Sequence, residues 1–300
     1  ADRGDVGGFR AAGVTRLSIG AQSMIPGELR SIGRRHAPDD VAATVALARR
    51  ARMESVSVDL LYDLPDQTLD SWRRTLDAVL ALEPDHVSAY ALALDDPEAE
   101  GLTGSLGDHL PLSSGARRWR ERARGGQDED RAAACYREAD ERLAIAGLRW
   151  YELSNWGRPG HESRHNLCYW RRLAHEAVGP GAHAFDGALT RRWNGARIDR
   201  YLAALGPPGA TARQLPPGAS ETVDVTTAVA ERAILGLRLR HGLDPATADE
   251  PALRDALRWG ESSGLLKRMA DGSLRLTDRG RLLANELFVR LLPEVRVAAA

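Results

Sequence analysis

Two cysteines, Cys135 and Cys168, are the only thiols in 300 residues. They are too few and too far apart for a disulfide framework, a four-thiolate zinc site, or an iron–sulfur cluster held by three or four of the chain's own thiolates. An excess of either charge is missing too, since 41 Lys+Arg stand against 42 Asp+Glu for a formal net charge of −1. That balance supplies no positive field of the kind that dominates phosphate recognition, so nucleic acid is not among the expected partners. Lysine is nearly absent: Lys267 is the only one, and arginine carries the rest of the positive charge, which reads as coding bias. No run approaches the roughly 18 apolar residues of a membrane span. The opening Ala1-Asp2-Arg3 has no initiating Met and begins neither a basic nor an apolar leader segment, so the expected compartment is cytoplasmic. What remains is 43% hydrophobic and 28% charged, enough to build a core. The length suits one large domain and a smaller one.

Residues 14–155 alternate short apolar strands with amphipathic helices. Strands are expected at 14–20, 55–61, 86–94 and 148–155. Helices are expected at 26–32, from Asp39 and Asp40 through 52, at 69–82 and at 128–146. In the third of these, Trp72, Leu76, Val79 and Leu80 recur at helical spacing. Strand–helix alternation implies right-handed crossovers and a parallel sheet, in an open α/β or barrel form. Residues 95–126 read as a surface excursion without ordered elements. The Pro/Gly-rich residues 206–220 read as a linker. Beyond it, two helices, a hairpin turning at Asp271-Gly272 and a last helix capped by Thr277 outline a winged helix. Residues 221–300 hold twelve acidic and twelve basic residues, so a structural or docking role is expected there ahead of nucleic-acid binding.

Sites on parallel α/β sheets form at the carboxyl ends of the strands. Gln22 lies just past the first strand and Asp59 late in the second, and Arg34, Arg35 and His36 follow the short helix. On the residues alone, Asp59 is as readily a carboxylate that caps the next loop as a ligand contact. A second cluster runs through Tyr151-Glu-Leu-Ser-Asn-Trp156, His165-Asn-Leu-Cys-Tyr-Trp170 and Gly179-Pro-Gly-Ala-His183. An imidazole, a phenol and an indole within six residues can give an axial iron ligand, a hydrogen bond and a stacking surface for a porphyrin. The same residue types also form satisfied interfaces between domains.

Together these blocks resemble a known family. Gly13-Val-Thr-Arg-Leu-Ser-Ile-Gly-Ala-Gln-Ser23, Ile32-Gly-Arg-Arg-His36, Val58-Asp-Leu-Leu-Tyr-Asp-Leu-Pro-Asp-Gln-Thr68 and Asp85-His-Val-Ser-Ala-Tyr-Ala-Leu92 are similar to consecutive blocks of the radical S-adenosylmethionine (SAM) family. The subgroup is the one that holds oxygen-independent coproporphyrinogen oxidases and HemW-type heme chaperones. The resemblance implies a partial TIM-like barrel over residues 1–156, a heme-motif segment over 157–205, and a winged-helix-like domain over 221–300 beyond the linker. It implies that Gln22, Arg34 and Asp59 contact SAM, with Ala93 contributing backbone. His-Asn-x-x-Tyr-Trp resembles the signature of the chaperones, which makes His165, Tyr169 and Trp170 heme contacts. His165 is then the iron ligand, and His183 is its rival.

The departures carry expectations of their own. The family's Cys-x-x-x-Cys-x-x-Cys loop and its first three strands are absent, so the [4Fe–4S] cluster is expected only in a longer parent chain, with a coding sequence upstream of Ala1 that supplies the loop. As it stands, the chain is expected to be inactive in radical chemistry. Asp63 stands where the family has Gly, and Asp tolerates a left-handed backbone better than most residues. The resemblance implies a chaperone that transfers heme to an acceptor protein, through that acceptor a peripheral association with membranes, and a reductant for the cluster. The alternatives are a coproporphyrinogen III oxidase and a non-catalytic docking module. The first strand would leave an open edge, for which dimerisation or aggregation is expected.

Overall fold

The fold follows from a computed structural model that describes residues 4–94, 113–206 and 215–293. The chain forms two compact units, one from residues up to 95 together with 112–162, the other mainly from residues 163–300.

The first unit runs α1 (Val6–Ala11), β1 (Arg16–Gln22), α2 (Pro26–Ser31), α3 (Pro38–Arg50), β2 (Ser55–Tyr62), α4 (Leu69–Leu80), β3 (His86–Ala91), α5 (Ser114–Gly125), α6 (Glu129–Ile145), β4 (Arg149–Glu152) and β5 (Asn155–Gly157). Its sheet has the order β1-β2-β3-β5-β4, and the first three strands are parallel. Val56, Val58 and Leu60 project from β2 to one face, where all three are fully buried, while Ser57 and Asp59 project to the other. Trp72 of α4 is completely buried and donates through Nε1 to the Cys135 carbonyl of α6 at 2.9 Å. Trp156 of β5, equally buried, donates to Asp140 at 2.8 Å. Each indole thus fills the core and still satisfies its one donor.

Two expectations for this unit are corrected. The expected strand 148–155 is a hairpin, because β4 and β5 are joined through Leu153-Ser154 and β5 runs antiparallel to β3. Tyr136 fixes the turn by donating to the Leu153 carbonyl at 2.9 Å. Part of the expected excursion 95–126 is the ordered helix α5. Ser113 caps it by accepting from the Ala116 N–H, and Trp119 anchors it by donating to the Ser31 carbonyl at 2.6 Å. Residues 95–112 lie outside the described residues.

The second unit runs α7 (Arg164–Trp170), β6 (His183–Phe185), β7 (Thr190–Asn194), α8 (Ile198–Leu205), β8 (Gly218–Thr222), α9 (Val225–Leu237), α10 (Pro245–Ala248), a 3₁₀ turn (Pro251–Leu253), α11 (Arg254–Ser262), β9 (Leu266–Arg268), β10 (Leu274–Leu276), α12 (Asp278–Leu282) and α13 (Ala284–Leu291). Strands β6, β7 and β8 form an antiparallel sheet, so the end of the expected linker 206–220 is a strand instead; residues 207–214 lie outside the described residues. Gly218 permits this pairing, since a Cβ there would come 1.8 Å from the Trp193 carbonyl oxygen. From α9 onward the outline is helix, helix, hairpin, helix. Leu237, Leu253, Leu274 and Leu287 are buried in its core. Thr277 caps the last segment as expected, but the helix breaks at Leu283 into α12 and α13. Among the described residues no helix is long and apolar enough to cross a membrane.

Candidate functional site

The carboxyl ends of β1, β2 and β3 gather the polar residues of the first unit. β1 closes with a bulge: its register to β2 shifts between Gly20 and Gln22, and Gln22 takes a left-handed φ of 65°. Gln22 folds its amide back over Gly20, where a Cβ would come within 2.7 Å of Nε2. His36 donates through Nε2 to the Ala21 carbonyl at 3.0 Å, which ties the turn holding Arg34 to the end of β1. Arg34 itself is exposed. Ala93 follows β3 and is exposed, one residue after Leu92, whose N–H donates to the Tyr62 carbonyl at 2.9 Å. Behind them the buried Glu28 carboxylate of α2 accepts from Ser23, Ser71 and Gln67 at 2.5, 2.5 and 3.3 Å, clamping the loop after β1 to the start of α4.

Asp59 belongs to a chain of hydrogen bonds that the sequence does not announce. Its carboxylate accepts from Ser18 at 2.8 Å and from Ser57 at 3.3 Å. Ser57 lies 2.8 Å from His86 Nδ1, and His86 Nε2 lies 2.8 Å from the Tyr151 hydroxyl. His86 is 1% exposed. Burial, reinforced by the positive Arg16 and by His161, pulls its pKa down to about 3, so the ring is neutral. With Ser57 donating to Asp59, the ring's proton sits on Nδ1, and Nε2 accepts from Tyr151. Asp63, where the resemblance has Gly, holds a φ of 57°. Its buried carboxylate accepts from Arg131 at 2.6 Å and from the Asp128 N–H at 3.2 Å, so its charge is met by a cation and by the amino end of α6.

The second cluster of expected residues falls in the second unit. A cavity of about 300 Å³ lies over one face of its three-stranded sheet. His183 and Phe185 of β6 and Arg191 of β7 line the floor, Tyr169 and Arg172 of α7 one wall, and Glu231, Ile234 and Leu235 of α9 another. The spacing of the last three puts them on one face of a helix. His175 also lines the cavity, held by an antiparallel bridge to Phe185. Arg172 lies 4.7 Å over the Phe185 ring and pairs with Glu231 at 2.9 Å.

Of the four expected heme residues, the structure brings Tyr169 and His183 to this cavity. His165 does not line it, but its Nε2 lies 2.9 Å from the Tyr169 hydroxyl. Trp170 is not among the lining residues and lies instead under Arg238, whose guanidinium is 4.5 Å from its ring centroid. The sequence reading missed His175, Phe185 and the wall from α9. The signals for them were strand alternation between His183 and Phe185 and the helical spacing of Glu231, Ile234 and Leu235.

The thiols do not fit a [4Fe–4S] cluster. Cys135 is fully buried, with burial pushing its thiol up to about 11, and Cys168 stands by itself in α7. Among the described residues no three His, Cys, Asp or Glu side chains gather as a metal site. Toward SAM the chemistry of the donor set fits: Asp59 offers a carboxylate, Gln22 a carboxamide and Arg34 a guanidinium, the groups that bond hydroxyl, amino and carboxylate partners.

No protein-family model matches the chain. The heme chaperone HemW of Mycobacterium tuberculosis H37Rv is 38% identical over 284 residues, which is 95% of this chain and 67% of that protein. The heme chaperone HemW of Bacillus subtilis is 30% identical over 303 residues, or 96% of this chain and 72% of that one. Among solved structures, coproporphyrinogen III oxidase of Escherichia coli, a radical SAM enzyme, matches with a TM-score of 0.68 at 19% identity, over 97% of this chain and 67% of its own; this likeness shows the fold. The extent of identity with relatives of which this chain spans two thirds or more decides the family: the chain belongs to the HemW heme chaperone family.

Proposed function

We propose that the chain binds heme in the cavity of its second unit and passes it to an acceptor protein, a reading supported by the name heme chaperone that its relatives carry. The observation that carries this reading is the cavity itself: an aromatic and aliphatic lining of Phe185, Ile234, Leu235 and Tyr169 together with two imidazoles. Its volume lies at the small end of ligand pockets, so a porphyrin enters by one edge and leaves the rest uncovered. A partly covered cargo suits release to an acceptor.

In the same reading the first unit holds SAM, with Asp59 and Gln22 accepting from its ribose hydroxyls or amino group, Arg34 pairing with its carboxylate and Ala93 contributing backbone. The residues available in this chain support ligand binding there, while radical chemistry needs thiolates beyond Cys135 and Cys168.

The test is hemin titration followed by transfer. The chain is expected to give a saturable Soret shift and to lose it when apomyoglobin is added as a general acceptor. Absence of a saturable shift would refute the heme reading. For the SAM half, equilibrium dialysis with labelled SAM should show binding that Asp59→Asn weakens; equal binding by both proteins would remove Asp59 from the site.

A further inference from the structure

Three histidines compete for the iron of a heme in this cavity, and their ring nitrogens are not equally available. His165 lies outside the lining, and its Nε2 is engaged by the Tyr169 hydroxyl at 2.9 Å. His183 reaches the cavity, but its exposed ring stacks on Trp193 at a centroid distance of 5.9 Å and an interplanar angle of 24°. His175 lines the cavity, and its Nδ1 sits 2.9 Å from the Leu173 carbonyl oxygen. A carbonyl can only accept, so the proton is on Nδ1 and Nε2 presents a lone pair. Metal-ligating histidines are commonly held this way, with the second nitrogen donating to a carbonyl that fixes the tautomer and raises the basicity of the first.

The backbone and the neighbours hold this ring in place. His175 exchanges both backbone hydrogen bonds with Phe185, at 3.0 and 2.9 Å, so the two side chains stand on the same face of the pair. Tyr169 and His175 meet in a T-shaped contact, with ring centroids 4.7 Å apart at 83°. The Phe185 ring lies 6.3 Å from that of His175, tilted by 44°. A half-buried imidazole of fixed tautomer, in contact with two aromatic rings, lines the cavity.

We propose that His175, through Nε2, is the axial ligand of the heme iron, and that His165 acts only as a positioning residue that holds Tyr169 against it. This inference rests on the heme reading above. It assigns the ligand to a residue outside the His-Asn-x-x-Tyr-Trp block, and it asks for a neutral nitrogen donor to ferric or ferrous porphyrin.

The experiment is hemin titration of the whole chain, read by the Soret band and by the ferric EPR spectrum. The wild-type chain should saturate with an imidazole-ligated spectrum. His175→Gln keeps a donor for the Leu173 carbonyl but has no imidazole, and it should lose that spectrum. His175→Gly opens a space that free imidazole fills, and added imidazole should restore the spectrum. His165→Gln should weaken hemin binding while retaining imidazole ligation at saturation. An unchanged spectrum in both His175 variants, or its loss in His183→Gln or His165→Gln instead, would overturn the assignment and leave the heme reading intact. No saturable binding by the wild-type chain would overturn both.

Discussion

Asp63 stands where the resembling family pattern implies Gly, and it holds a left-handed backbone. The left-handed φ of 57° was legible in advance, because the position reads as glycine in the resembling blocks and Asp is among the few residues that tolerate it. The answer to its charge was not, because Arg131 lies 68 residues away and no local pattern links the two. Arg131→Ala should therefore destabilise the first unit by about 3 kcal/mol, the cost of a buried carboxylate left without its cation. In an Asp63→Gly background the same change should cost far less, and chemical denaturation of the four proteins measures the difference. His86 makes the companion case for pH. Folded, its pKa is about 3; unfolded, it is near 6.5, so as pH falls below about 6.5 the unfolded chain takes up a proton that the folded chain refuses. Stability contributed by the neutral ring is full above that range and declines by about 2 kcal/mol by pH 5. Denaturation curves at pH 7.5 and 5 should show the loss, and His86→Gln should show a smaller one. A variant with an undiminished pH dependence would assign the slope to other groups.

At the scale of elements, the periodic segments were readable and the joints between them were not. Strands β1, β2 and β3 and helices α4 and α6 lie within a few residues of the boundaries that periodicity and capping residues suggest, since each carries its own buried stripe. The β4–β5 hairpin was hidden because two short strands joined by Leu153-Ser154 look like one longer strand until Trp156 is seen packing back on Tyr136. Strand β8 was hidden by composition: Pro216, Pro217 and Gly218 read as linker, yet Gly218 is what lets the chain approach β7. The functional consequence is direct, because β7 carries Arg191 in the cavity floor and β8 pairs with it, Arg191 opposite Glu221. Gly218→Ala cannot be accommodated without moving one backbone off the other, as the Trp193 carbonyl oxygen and carbon would lie 1.8 and 2.9 Å from the new Cβ. The expected result is a loss of about 1–3 kcal/mol in the stability of the second unit, the range for overpacking a closed contact, with weaker hemin binding in the same titration. Gly33→Ala makes the contrast: its φ of 71° strains a side chain, but nothing lies within 4 Å of the new Cβ, and Gly33 belongs to the first unit. Hemin binding should be retained there.

The two proposed sites fall in different units of the chain. Gln22, Arg34, Asp59 and Ala93 all belong to the first unit, and every residue lining the cavity belongs to the second. Short sequence blocks pointed to Tyr169 and His183 at the cavity, but they could not show that Trp170 is outside its lining while His175 is part of it. That distinction depends on strand pairing and on a helix more than fifty residues further along. The division leads to a prediction about the molecule as a whole. If the cavity is sufficient for hemin, residues 163–300 expressed alone should bind it with the imidazole-ligated spectrum of the full chain, and residues 1–162 should not. The two cysteines add a control on the same preparations. Reconstitution with iron and sulfide should leave no stoichiometric [4Fe–4S] absorbance on the chain, because Cys135 is sealed in the core with its thiol raised toward 11 and Cys168 alone offers one ligand where three are needed. Hemin binding that persists in a chain without a cluster would make cargo capture independent of a cluster. Hemin binding only by preparations with a reconstituted cluster would instead tie capture to the cluster and count against the cavity as the site.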